Sequence, residues 1–101
     1  MTTRASIAKQ DSTFIVSGDL NFSTVTQVWR DSLPLLSPQQ KLLFDFSQVK
    51  SANSAGLALI IEWLKYAKRE AKVVQLQHFP QQLWSIAGVS GVDQLLRESI
   101  S

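Results

Sequence analysis

Apolar and polar positions alternate in two ways along this chain, and the change of period marks its elements. Arg4–Ala8 and Thr13–Ser17 alternate with a period near two, as strands do, and the polar "KQDS" between them suits a hairpin turn. "SGDLN" then interrupts the pattern, with Gly18 free to take an unusual backbone angle. Phe22, Val25, Val28 and Trp29 follow at helical spacing, and Pro34 and Pro38 are expected to end that helix. "KLLFDFS" is a short apolar run broken only by Asp45, the pattern of a central strand buried on both faces. A long helix is predicted from Ala55 to Glu70, then a strand over "KVVQLQ". "PQQLWSIAG" reads as a short helix, with Pro80 near its first turn and Gly88 as its stop. The tail "VSGVDQLLRESIS" holds a last short helix with Leu95 and Leu96 turned inward.

The expected order is β-β-α-β-α-β-α-α. Helices alternating with strands after an opening hairpin predict a single α/β domain over residues 1–101, with a mixed sheet and helices packed against it. No internal repeat, linker or low-complexity segment interrupts it.

The long helix carries more apolar surface than one face needs. At about 100° per residue, Leu57, Ile60, Ile61, Leu64, Ala67 and Ala71 share the expected core side. Glu62, Lys65 and Arg69 lie nearly opposite. Leu59, Trp63 and Tyr66 form a third stripe. They either cover a sheet edge or loop, or form a face for a protein partner, where Trp and Tyr are favoured anchors. Trp84, off the Leu83/Ile86/Ala87 side of the next helix, extends that surface.

Composition narrows the chemistry. The chain has 101 residues, 45% hydrophobic and 18% charged, as an ordinary globular domain has. It has no cysteine, which excludes disulfides, thiolate metal ligands and cysteine nucleophiles. The net charge of +2 is scattered, and Lys65, Lys68, Arg69 and Lys72 make a solvated helix flank rather than a nucleic-acid patch. "MTTRASIAKQDS" lacks the apolar core of a signal peptide, and "GLALII" is far short of a membrane span. A cytoplasmic protein is expected, reaching a membrane only through partners.

Catalytic signals are missing. His78 stands alone at a strand end, no second histidine can serve as a base, and no GxSxG elbow is present. No phosphate loop or metal-ligand spacing occurs, and Asp45, Glu62 and Glu70 are not spaced as an acid/base pair. The expectation is a module that binds or is modified, with no catalytic residue, cofactor or metal.

The stretch between the central strand and the long helix carries a family signature. "DFSQV" followed by "NSAGL", with the strand before and the apolar helix after, resembles the STAS domain, named for sulfate transporters and anti-sigma factor antagonists. The resemblance implies a mixed sheet of four to five strands with helices mainly on one face. In anti-sigma factor antagonists the motif is similar to D-S-x-G-L, and its serine is phosphorylated by a partner kinase. The matching residue is Ser54, preceded here by the uncharged Asn53.

The chain also resembles the single-domain STAS subunits of Mla-type phospholipid transporters. The likeness lies in "GLAL" at Gly56–Leu59, Ala67–Lys68, the Gly18–Leu20 turn and Trp29. That branch implies a non-catalytic subunit that binds the cytoplasmic ATPase of an ABC transporter, with its permease in the assembled complex. Its pathway maintains outer-membrane lipid asymmetry. The partner-binding residues implied are Asn53, Ser54, Ala55, Gly56, Leu59, Trp63, Tyr66 and Trp84. For Ser54 three roles stay open: a helix cap, a phosphate acceptor meeting an anti-sigma factor kinase, and a hydroxyl contact with the ATPase.

Overall fold

The computed structural model describes residues 4–99. Residues 1–3 and the last two residues of the predicted tail lie outside the described residues. Strands β1 (Ala5–Gln10) and β2 (Thr13–Leu20) form the expected hairpin. Asp11 turns the corner with a left-handed φ of 56°, which a short polar side chain tolerates better than most. Helix α1 (Val25–Leu36) leads to β3 (Lys41–Ala52), and α2 (Ser54–Arg69) leads to β4 (Val73–Gln77). Helices α3 (Gln82–Ser90) and α4 (Asp93–Arg97) complete the described chain.

The sheet has four strands in the order β1-β2-β3-β4. β2, β3 and β4 are parallel, and β1 is antiparallel to β2. Parallel neighbours need a crossover, and α1 and α2 supply the two required. Register aligns Phe14 with Phe44 and Phe44 with Leu76, so the apolar rows of the strands fall on one face. Ile7, Phe14, Val16, Leu42, Phe44, Phe46 and Leu76 are buried there against Val28 and Leu36 of α1, Ile60 and Leu64 of α2, and Leu83, Ala87 and Leu96 beyond.

Several boundaries correct the sequence reading. β3 is not buried on both faces: Leu43 and Asp45 are only half-buried, because the helices pack on the opposite side. It also runs past Ser47 to Ala52, since β2 continues beside it through Gly18 to Leu20. Gly18 takes a φ of 90°, and a Cβ there would collide with the Arg4 carbonyl, so the hairpin closes only over glycine.

Pro34 lies inside α1 rather than ending it. In the last turn, proline removes one hydrogen bond to the carbonyl of Arg30, an exposed residue, and the helix runs two residues further. Gly88 likewise sits within α3. The stop is Gly91, left-handed at φ 76°, whose N–H returns toward Ala87 and Gly88 carbonyls. Of the two leucines predicted inward in α4, Leu96 is fully buried and Leu95 is exposed.

Candidate functional site

The site is built where β3 hands over to α2. Asn53 is in extended conformation and its side-chain Oδ1 accepts the Ala55 N–H at 2.9 Å. Its carbonyl accepts from Gly56 and Leu57, and its own N–H donates to Leu20 O at 3.1 Å. Asn53 is therefore the helix cap. Ser54 is the first residue of the helix, exposed to solvent, and the capping role belongs to its neighbour. The first turn of α2 contains no acidic residue, so the positive end of the helix dipole at Ser54 is unopposed within its own helix.

The strand side of this junction is held by polar contacts. Ser51 Oγ donates to Asp19 Oδ1 at 2.6 Å. Thr24 Oγ1 donates to the Asp19 carbonyl at 2.6 Å and accepts from Asn21 N–H at 3.0 Å. The Asn21 side chain accepts from Ser23 N–H, forming a local turn. The start of α1 and the start of α2 are thereby fixed side by side.

Between them runs an apolar groove of about 370 Å³. Phe22, Val25, Thr26 and Trp29 line one wall, and Ala55, Ala58, Leu59 and Glu62 the other. Phe22 stands at its edge with 76% of its surface exposed, an unusual position for a large aromatic residue. Glu62 is the one ionisable side chain in the lining, 3.4 Å from Lys65 on the solvent side.

The partner-binding residues expected from sequence do not form one surface. Asn53 and Ser54 stand at the mouth of α2, and Ala55 and Leu59 form the groove floor. Gly56 is buried and faces inward. A Cβ on it would come within 2.9 Å of Leu20 Cβ, so its small size serves helix-to-strand packing rather than a partner. Tyr66 is half-buried, edge-on to Trp29 at 6.3 Å between ring centroids. Trp84 packs on Phe79 at 4.8 Å with the Arg97 guanidinium over its ring, outside the groove lining.

Trp63 is the clear correction. It is fully buried, stacked on Phe44 at 4.5 Å. Its indole N–H donates to Ser32 Oγ at 3.0 Å, and that hydroxyl donates onward to the Trp29 carbonyl at 2.7 Å. The supposed third stripe of α2 is thus split. Leu59 and Trp63 belong to the core because α1 packs along that flank of α2 as the sheet packs beneath it. Ala71, predicted inward, lies beyond the helix with φ 53° and is exposed. Phe22, Val25 and Trp29 complete the groove. Their helical spacing was visible, but nothing in it places α1 beside the N-terminus of α2.

The signature aspartate sits elsewhere. Asp45 faces the open side of the sheet, where its Oδ1 accepts the Ser47 N–H at 2.8 Å and lies 3.0 Å from His78 Nδ1. Partial burial raises its pKa, but the hydrogen bonds from Ser47 and the interaction with His78 outweigh this and hold it below the ordinary value. Among the described residues, no group of three His, Cys, Asp or Glu side chains is placed to hold a metal ion. No described helix is long and apolar enough to cross a membrane.

Comparison with known proteins agrees with this architecture. The family model described as "Mlab, STAS domain" matches residues 3–98. Among solved structures, the chain is similar to the anti-sigma factor antagonist SpoIIAA in its unphosphorylated form. The likeness covers 90% of this chain and 96% of that one, with a TM-score of 0.61 and 11% sequence identity. At that identity the likeness is one of fold. No curated protein matches the sequence.

Proposed function

This chain belongs to the STAS domain family, and from that premise we propose that it is a non-catalytic binding subunit of an ABC-type phospholipid transporter. It docks on the cytoplasmic ATPase, in a complex completed by the permease, and supports a pathway that maintains outer-membrane lipid asymmetry. It works beside the inner membrane and reaches it only through these partners. The observation that carries the reading is the exposed Ser54, released from capping by Asn53 and set at the end of an apolar groove. An exposed hydroxyl at a helix N-terminus, beside exposed apolar surface, suits contact with another protein.

Ser54→Arg tests this. The position is exposed, so the variant keeps its melting profile. An arginine at a packed contact is expected to cost the complex about 2 kcal/mol or more, roughly thirtyfold in affinity. The measurement is co-purification of ATPase and permease with the tagged protein from its own host's membranes. Undiminished recovery with the folded variant overturns the proposal.

The same exposed hydroxyl supports a second reading, a partner-switching antagonist phosphorylated at Ser54 by an anti-sigma factor kinase. Phosphate there would meet the positive end of α2 and add about two negative charges to the contact surface. Mass spectrometry of the purified protein separates the readings. Bare Ser54 with a transporter ATPase supports the first, and phosphorylated Ser54 with a soluble kinase the second.

A further inference from the structure

The walls of the groove are two helix faces with matching periodicity. On α2, Ala55, Ala58, Leu59 and Glu62 follow the i, i+3, i+4, i+7 spacing of one side of a helix. Opposite them, Phe22 precedes α1 while Val25 and Trp29 lie four residues apart on it. Ala55 and Ala58 keep the α2 wall low. Two side-by-side helices, one with small residues along its ridge, form a seat for a third helix packed ridge into groove. We infer that the groove between the starts of α1 and α2 receives an amphipathic helix of the protein partner, with apolar anchors on one face and a lysine or arginine placed against Glu62.

Charge selects this occupant. Glu62 is the sole ionisable group in the lining, and its pairing with Lys65 at 3.4 Å is exposed and weak. A bound helix that covers the groove withdraws the Glu62 carboxylate from water, and a cation that it places there reinforces the weak pairing with Lys65. Phe22 supplies the apolar counterpart, a largely exposed ring that an incoming helix would cover. The inference rests on the binding-subunit reading above but assigns the form of the partner, which that reading leaves open.

The test uses the full chain in its own host with a photo-crosslinking phenylalanine derivative at the exposed Ala58. The crosslinked peptide is identified, and the Glu62 contact is then probed by charge reversal. The expected peptide comes from a partner helix with an apolar i, i+3/i+4, i+7 face and a flanking lysine or arginine. Glu62→Lys is expected to weaken that complex about tenfold, and the reciprocal change of the partner's basic residue to glutamate to restore most of the loss. A crosslink to a second copy of this chain, to lipid, to a partner loop, or to nothing overturns the inference, as does a failure of the reciprocal change to restore binding. A crosslink to a helix of some protein other than a transporter ATPase, with the reversal restored, upholds the groove assignment and refutes the transporter reading. Loss of the ATPase in Ser54→Arg with no effect of Glu62→Lys does the opposite.

Discussion

Two adjacent residues at the mouth of α2 divide the work that sequence alone assigns to either. Asn53 supplies the oxygen that satisfies a first-turn N–H, and Ser54 stands outside that bond. Asn53→Ala is expected to destabilise the fold by about 1 kcal/mol, a fall in melting temperature of about 4–8 °C for a domain of this size. Ser54→Ala is expected to change stability by less than about 0.5 kcal/mol. Thermal melts of the two variants side by side check the division, and equal losses would return the cap to Ser54. Both residue types are good caps, so only backbone geometry at the junction could assign the role.

Asp45 carries the pH dependence that is visible at this scale. Its pKa in the folded protein lies below the ordinary value of 3.8. The ionised form is therefore favoured by folding. Its contribution is fully present above that ordinary value and disappears as pH falls through the lower, folded one. Asp45→Asn is expected to lower stability by less than about 1 kcal/mol at pH 7, because its partner His78 is largely exposed and solvent screens the pairing. Urea midpoints at pH 7 and pH 3 check the sign, since the gap between wild type and variant should narrow at the lower pH. A gap that widens in acid would refute the assignment.

At the scale of elements, α1 and α2 are clamped by a buried polar relay inside an apolar core. The indole of Trp63 reaches Ser32, and Ser32 reaches the Trp29 carbonyl. Trp63→Phe keeps an aromatic ring over Phe44 but removes the donor and some volume. The expected loss is about 2 kcal/mol, roughly half from the hydrogen bond and the remainder from imperfect repacking. Chemical denaturation measures it. Unchanged stability with weakened partner binding would instead make Trp63 a contact residue.

The periodicity of α2 showed that Leu59, Trp63 and Tyr66 were surplus to a single sheet-facing stripe. It could not show which neighbour consumes the surplus, because that depends on the angle at which α1 lies alongside. The buried Ser32 was equally unreadable in advance. A serine in a helix is ordinarily solvated, and its partner is 31 residues away. The order of strands and helices was legible because each has a strong local period. The ends were less so. Pro34, Gly88 and Gly18 are local breakers, yet none ends its element: Pro34 falls in the last turn of α1, α3 runs past Gly88 to Ser90, and β2 runs past Gly18 to Leu20.

For the whole molecule, the family signature and the fold are consistent with each other, and both direct attention to one end of the sheet. The signature residues nonetheless separate. Asp45 and Ser47 serve the open face, Gly56 serves packing against Leu20, and Asn53 with Ser54 serves the exposed junction. The short sequence motif is thus mainly a description of how β3 turns into α2. The Phe22 end of the groove lies outside it and comes from a different crossover.

The strand order has a further consequence. Each strand lies next to the one before it in the chain, from β1 to β4. As the polypeptide leaves the ribosome, every new strand finds its hydrogen-bonding edge already synthesised and never has to insert between two others. The growing sheet always ends in the most recent strand, so assembly can follow the direction of synthesis.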